Sequence, residues 1–244
     1  MTRTTVELIR PDWSLPDGVQ IAFSTRRLLC GDGSASPWQG ANLGLHVGDD
    51  RQQVLRHRLS LIRQLPGLQS IQWLDQVHGN RCVQACGSDV LLRADASWSA
   101  EAGMACAVMT ADCLPLLLVS DDGLQVAAAH AGWRGLAGGV LEQTLACFRR
   151  PVIAMLGPAI GPTAFEVGPE VKACFADAPA DCFVAGAGDR YFADLYGLAR
   201  WRLQQAGVER VLGGDWCTFS EPQRFYSYRR DGQTGRQASL IWRE

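Results

Sequence analysis

Charge of one sign, long apolar runs and closely paired cysteines are all missing from this chain of 244 residues. Its 23 Lys and Arg against 25 Asp and Glu leave a net charge of −2, too weak a field to gather nucleic acid or an anionic membrane. Neither is an expected partner. No segment approaches the roughly 20 apolar residues of a membrane span. The opening Met1-Thr2-Arg3-Thr4-Thr5-Val6-Glu7 lacks the apolar core of a signal peptide, so a cytoplasmic location is expected. Nine cysteines, an odd set without a CxxC pair, argue against a disulfide framework in a reducing compartment. Most are expected to serve as small buried hydrophobes. Histidine is scarce as well: His46, His57, His78 and His130 are the whole supply.

What is present is the composition of an ordinary globular protein, 47% hydrophobic and 20% charged, in a chain long enough to bury a sizeable core. No linker, low-complexity run or fixed-period repeat divides it, so residues 1–244 are expected to form a single mixed α+β domain. Strands are expected within residues 5–25, the second over Val19 to Ser24, with a turn at Leu15-Pro16-Asp17-Gly18 between them. A Gly-, Ser- and Asp-rich loop over 30–50 leads into a helix around Gln53 to Leu59, capped by Asp49-Asp50. Further strands are expected at Ile71 to Val77, Val152 to Leu156 and Ala238 to Trp242. Helices are expected at Gly138 to Arg150 and Leu195 to Ala206, the latter closed by Gly207.

The centre of the chain is the most informative part. Two short apolar runs, Leu114 to Leu118 and Val126 to Ala129, flank Asp122-Gly123, a strong hairpin signal. Cys113 precedes the first run and His130 ends the second. A four-residue loop, Ser120 to Gly123, sets Cys113 opposite His130; a two-residue Asp122-Gly123 loop pairs His130 with Pro115 and makes Cys113 a diagonal neighbour. Either register leaves thiol and imidazole on one face, roughly 5 to 8 Å apart at their origins. Only a one-residue slip separates them. His78 stands at the end of another expected strand, at His78-Gly79-Asn80.

Three readings of these residues stay open. Two imidazoles and a thiolate suit zinc, with a fourth tetrahedral position left for water or substrate. Alternatively Cys113 is a nucleophile with His130 as its base. In the third reading Cys113 is core and the histidines are turn residues bonded to backbone.

Six segments then occur in an order that resembles one family: Asn42-Leu43-Gly44-Leu45-His46-Val47-Gly48-Asp49-Asp50, Gln76-Val77-His78-Gly79, Met109-Thr110-Ala111-Asp112-Cys113-Leu114-Pro115, Ala129-His130-Ala131-Gly132-Trp133-Arg134-Gly135, Gly157-Pro158-Ala159-Ile160-Gly161-Pro162 and Ser227-Tyr228-Arg229-Arg230-Asp231-Gly232. The chain resembles bacterial proteins long labelled polyphenol oxidase or multicopper laccase domain, now described as purine nucleoside phosphorylases and in some members as peptidoglycan-editing factors. The resemblance implies zinc on His78, Cys113 and His130. It implies a four-layer α/β/β/α arrangement, related to toxin deamidases that use a Cys/His pair. It also implies phosphorolysis of adenosine, inosine and methylthioadenosine, together with adenosine deamination. The chain departs from relatives at Arg27-Leu28-Leu29, where Gly-Gly is usual, and at Thr163-Ala164, where Cys-Cys is frequent. Copper on the same three ligands is the competing cofactor, because it binds such donors more strongly than zinc. Four histidines are too few for a type 1 copper plus a trinuclear cluster.

For the chemistry so implied, Cys113, His130 and Asp112 are the candidate catalytic residues, Asp112 as proton carrier or orienting group. Gly132 to Gly135 leads into an expected helix, so Arg134 and backbone N–H groups are candidates for phosphate. Arg26 and Asn42 are candidates for ribose or phosphate, and Trp133 for stacking on the base. Arg229-Arg230 are candidates for anion binding or, more commonly for such a pair, a solvated face; His57 is expected on an exposed helix face and His46 at the periphery. The expected partners are a small-molecule nucleoside and phosphate. The two alternatives are a Cys/His amide hydrolase in peptidoglycan precursor editing and a non-enzymatic zinc-binding protein.

Overall fold

Apolar runs buried on both faces dominate the middle of the chain. Met104 to Ser120 contains two seven-residue strands in which every residue is buried, a pattern only interior strands tolerate. The computed structural model describes residues 4–87 and 91–244; Met1 to Arg3, part of the opening segment considered above, lie outside them. Numbered along the chain, the first strands are β1 (Thr5–Ile9), β2 (Val19–Cys30), β3 (Ser70–Gln72), β4 (Leu74–Asp75), β5 (Cys82–Gln84), β6 (Leu92–Arg93), β7 (Ala96–Ser99) and β8 (Met104–Thr110). They continue as β9 (Leu114–Ser120), β10 (Val126–Ala131), β11 (Val152–Leu156), β12 (Glu166–Val167), β13 (Phe183–Ala185), β14 (Tyr191–Ala193), β15 (Arg210–Gly213) and β16 (Gln237–Arg243). The helices are α1 (Arg51–Gln64), α2 (Trp133–Ala137), α3 (Val140–Leu145), α4 (Pro169–Ala173), α5 (Leu195–Gln205) and α6 (Tyr228–Asp231).

Two large sheets organise these elements. One has the order β1-β2-β16-β8-β3 and the other β15-β11-β9-β10-β7-β5. Both are mixed: most neighbours are antiparallel, but β3 with β8, β11 with β15 and β5 with β7 are parallel. The α+β class with mixed sheets therefore stands.

Alternation along the strands sorts side chains between three apolar clusters. Cys106, Val108 and Ile241 of the first sheet pack with Leu117, Val119, Val126 and Ala128 of the second. Their intervening neighbours Ala105, Ala107, Met109, Leu240 and Trp242 join Leu61 and Leu65 of α1 and its cap. In the second sheet, Leu114, Leu116, Leu118, Ala127 and Ala129 join Leu136, Val140 and Leu141 of α2 and α3 and Leu198 and Leu203 of α5. Burial of a Leu side chain contributes about 2 kcal/mol, so these faces dominate the stabilisation.

Several elements depart from expectation. The second strand runs on to Cys30 rather than stopping at Ser24, because its far end pairs with β1 through irregular register. The strand expected over Ile71 to Val77 is two short pieces, β3 and β4, that pair in different sheets. The helix expected over Gly138 to Arg150 is shorter, α3 alone from Val140 to Leu145; a separate helix, α2, ends before it at Ala137, and Gly139 at φ 86 keeps the two apart. Of the nine cysteines only Cys106 and Cys182 are buried, since the others fall at strand ends, in loops or just past short helices. His57 is fully buried rather than exposed: α1 turns that face towards the preceding loop, and the ring's Nδ1 lies 2.9 Å from the Asn42 carbonyl.

Candidate metal centre

The hairpin adopts the register of the tight loop. His130 pairs with Pro115 and Ala131 with Leu114, so Cys113, just before β9, is diagonal to His130 on the face directed between the sheets. The register with Cys113 directly opposite His130 is not formed. The turn is fastened by Gly123 N–H donating to the Ser120 carbonyl at 2.9 Å and by Ser120 Oγ donating to Asp122 at 2.6 Å. His78 enters from the segment after β4. Its Nε2 lies 3.8 Å from Cys113 Sγ, and its ring meets the His130 ring edge-on with centroids 4.7 Å apart.

One ligand atom from each of His78, Cys113 and His130 falls within 4.8 Å of the other two, so these residues can hold a metal ion. No other such group occurs among the described residues. The separations suit the donor set. Around a tetrahedral zinc with Zn–S of about 2.3 Å and Zn–N of about 2.0 Å, two ligand atoms lie roughly 3.5 Å apart.

A carboxylate that the sequence did not single out ties two of these side chains together. Asp95, with no exposed surface, places Oδ1 2.8 Å from His130 Nδ1. The same carboxylate accepts the backbone N–H groups of Val77, His78 and Gly79 at 3.2, 2.8 and 2.7 Å. Donation from Nδ1 leaves His130 Nε2 as the free donor atom, the usual arrangement for a ligating histidine. Asp95 sits immediately before β7, whose pairing with β10 brings it beside His130.

Two residues of the site hold backbone conformations that side chains rarely adopt: His78 at φ 60 and Asp112 at φ 96. Asp95 grips the first. The second is fixed by its own carboxylate, which accepts from Thr218 Oγ1 at 2.7 Å and from the Arg229 N–H at 2.6 Å. Gly132 closes the other side: a Cβ there would stand 2.8 Å from Cys113 Sγ, too close to fit.

These contacts set the local electrostatics. Burial alone would raise the Cys113 thiol, but the His130 charge and hydrogen bonds from both histidines outweigh it and bring it down to about 6. Burial likewise disfavours the His130 cation, yet Cys113 and Asp95 raise it to about 9. Each charged form, thiolate and imidazolium, is thus favoured by the other in the absence of metal. Asp95 is held below the usual carboxylate range, since the hydrogen bonds from His130 and the backbone exceed the opposing effect of burial.

The ligand atoms open into a cavity of about 210 Å³, whose wall includes His46, Gln76, Tyr228 and Arg236. His46 is thus part of the site wall, a correction to its peripheral placement from sequence. The other candidates lie elsewhere. Asn42 is fully buried, its amide used by Gly44, Asp49 and the Arg236 N–H, so it locks a loop and presents nothing to a ligand. Arg26 donates to the Pro222 and Gln39 carbonyls and stacks on Tyr226. Arg134 is exposed and lies over the Trp133 ring, which packs against the helix-side core and does not line the cavity. Arg230 donates to the Thr218, Phe219 and Phe225 carbonyls, so it braces the loop it leaves. Asp95 and Arg236 had a faint signal: each sits at the margin of a strand bordering the three ligands, but no local motif marks either.

Comparison with known proteins now bears on the chain. The family described as multi-copper polyphenol oxidoreductase laccase matches residues 20–244, and the chain belongs to it. Purine nucleoside phosphorylase YfiH of Shigella flexneri is 50% identical over 97% of this chain and 98% of its own length. Purine nucleoside phosphorylase PA4543 of Pseudomonas aeruginosa is 52% identical over 96% and 97%. The crystal structure of Neisseria meningitidis protein NMB0706 has a TM-score of 0.91 at 45% identity, covering 97% of this chain and 99% of that one.

Proposed function

We propose that this member of the family is a zinc-dependent purine nucleoside phosphorylase, taking adenosine, inosine or methylthioadenosine with phosphate to the free base and the corresponding ribose 1-phosphate, with adenosine deamination at the same centre. The observation that carries the reading is the open three-donor set, with His78 Nε2 and Cys113 Sγ 3.8 Å apart at the floor of a cavity. Relatives of 50% and 52% identity bear the phosphorylase name. His78, Cys113 and His130 would hold the ion. Bound there, zinc supplies Lewis acidity and lowers the pKa of water to about 7.

The chain's own residues do the rest. In phosphorolysis the bond from C1′ to the base breaks, a phosphate oxygen forms the new bond to C1′, and the base leaves with the electron pair and gains a proton. Asp95 keeps the His130 Nδ1 proton in place and so fixes which nitrogen faces the cavity. Asp112, with both carboxylate oxygens occupied by Thr218 and Arg229, is a positioning residue for the backbone at Cys113. The cavity shares His46 and Met109 with a neighbouring groove of about 790 Å³, which gives a nucleoside room that the smaller space alone lacks. A four-layer α/β/β/α reading of the architecture is supported by the three apolar clusters, one between the sheets and one under each set of helices. No helix among the described residues is long and apolar enough to cross a membrane, in keeping with a cytoplasmic site of action.

The family description invokes several coppers, and the histidine supply argues against that chemistry. His57 is buried against the Asn42 carbonyl, which leaves too few imidazoles for a type 1 and a trinuclear centre. Copper remains the competing single ion on the same donors.

Metal-loaded enzyme incubated with adenosine and phosphate is expected to yield adenine and ribose 1-phosphate, and to lose that turnover in His78→Ala and Cys113→Ala. Production of neither base nor inosine would sink the proposal. A second reading has its own support: Cys113, His130 and Asp95 form a thiol–imidazole–carboxylate series like that of Cys/His amide hydrolases, to which a role in peptidoglycan precursor editing would belong. Activity on an amide that survives chelation and is stopped by thiol alkylation would favour it.

A further inference from the structure

The phosphate needs a place, and the segment expected to provide it does not. The five-residue α2 that follows Gly132 is too short for an N-terminal anion site, and Arg134 turns outward over Trp133. Two other arginines are placed differently. Arg58 is 9% exposed, holds its Cζ over the Trp73 ring 3.9 Å from the centroid, and donates from Nε to the Leu43 carbonyl at 2.8 Å. One terminal nitrogen reaches only Met109 Sδ, a weak acceptor, at 3.3 Å. The other has no hydrogen-bond partner among the described residues, and no carboxylate pairs with this guanidinium. Arg236 is half-buried, donates from one nitrogen to the carbonyls of Thr234 and Gly235, and has no carboxylate partner among the described residues.

Burying a cation without a counter-ion is costly, and along this groove one guanidinium is buried and a second half-buried, each without a carboxylate partner among the described residues, so the groove favours a negative charge. The two groups flank a single passage. Arg236 lines the cavity of the metal ligands, Arg58 lines the adjoining groove, and His46 and Met109 belong to both. Burial lowers the pKa of each guanidinium, and burial first, then the Arg236 and Arg58 charges, lower that of His46. The carboxylates within reach do not cancel them. Asp112 is committed to Thr218 and Arg229, and Asp75 is solvent-exposed at the groove edge.

We propose that Arg236, Arg58 and His46 form an oxyanion subsite that holds the inorganic phosphate beside the metal-binding residues. The proposal rests on the phosphorylase reading and supplies the location of its second substrate. A guanidinium presents paired N–H donors that match two oxygens of a phosphate, and Arg58 is already held in one orientation by Trp73, so little ordering remains when the anion arrives. The phosphate of a nucleotide offers the same oxygens; the floor of the cavity is occupied by the metal ligands, which favours free phosphate next to a nucleoside.

The test is calorimetric titration of inorganic phosphate into metal-loaded protein, with AMP as a parallel arm. Wild type is expected to bind phosphate, with affinity lower by roughly tenfold or more in Arg236→Gln and Arg58→Gln. Arg236→Lys is expected to recover part of it. In turnover the KM for phosphate rises in the glutamine variants far more than the KM for adenosine. If Arg58→Gln does not fold, Arg236→Gln decides alone. Absence of phosphate binding in wild type, binding that ignores both arginines, or loss of AMP binding alone would overturn the proposal. Arginine-dependent phosphate binding without any phosphorolysis would retain the subsite and defeat the phosphorylase reading instead.

Discussion

Asp95 Oδ1 lies 2.8 Å from His130 Nδ1 while the same carboxylate caps the backbone N–H groups of Val77, His78 and Gly79. One buried side chain therefore sets the ring orientation of one metal ligand and the loop conformation of another. Asp95→Asn keeps the shape but no longer offers two equivalent acceptors, and is expected to weaken zinc binding roughly 10- to 100-fold. Competition with a chromophoric chelator measures it. Asp95→Ala should in addition destabilise the fold by about 3 kcal/mol, since it strands buried donors, and denaturant unfolding reads that loss.

Gly132 offers a cleaner probe of the metal ligands. Its φ of −61 suits any residue, so Gly132→Ala adds no backbone strain and acts through the approach of the new Cβ to two metal ligands, 2.8 Å from Cys113 Sγ and 3.3 Å from the His78 ring. The variant is expected to fold, yet to bind cobalt with a weakened thiolate-to-metal absorption band. An unchanged band would show that the thiol has room to spare.

The pH response of the metal-free protein follows from the two shifted groups. The Cys113 thiol falls from 9.0 to about 6, so its contribution to stability is complete above 9.0 and is lost as pH drops through about 6. The His130 imidazole rises from 6.5 to about 9, so its contribution is complete below 6.5 and is lost as pH climbs through about 9. Stability of the metal-free form is accordingly expected to plateau between these limits. Alkylation of Cys113 by iodoacetamide should be half-maximal near pH 6 and not near pH 9.

Asp112 carries an unfavourable φ of 96 that two hydrogen bonds from distant parts of the chain maintain. Asp112→Ala removes both acceptors and keeps the backbone penalty, so a loss of about 2 kcal/mol is expected in chemical denaturation. A companion Thr218→Val, which deletes one of the two donors, should cost less.

Much of this site was readable in the residues, and the unread part has a common cause. The hairpin brought Cys113 and His130 to one face because period-two alternation and the Asp122-Gly123 turn are local signals. The choice between registers rests on turn hydrogen bonds, Gly123 N–H to the Ser120 carbonyl and Ser120 Oγ to Asp122, that the residue pattern alone does not reveal. Asp95 escaped notice because its importance comes from β7 pairing with β10, a contact between segments about 30 residues apart in sequence. His57 and Asn42 were misplaced for a related reason. Helical spacing describes which residues share a face but not what that face meets, and here it meets a loop that needs both side chains inside. Arg58 and Arg236 carry no motif at all; only their place along the groove, one buried and one half-buried without a carboxylate partner among the described residues, distinguishes them from other arginines.

The central claim is a single metal held by two imidazoles and one thiolate with one position open. An anomalous-scattering map recorded at the zinc edge from crystals of the metal-loaded protein tests it most directly. One peak per chain is expected, at bonding distance from His78, Cys113 and His130, about 2.0 Å from nitrogen and 2.3 Å from sulfur. A map without a peak there, or with a peak that does not include the Cys113 sulfur, would contradict it.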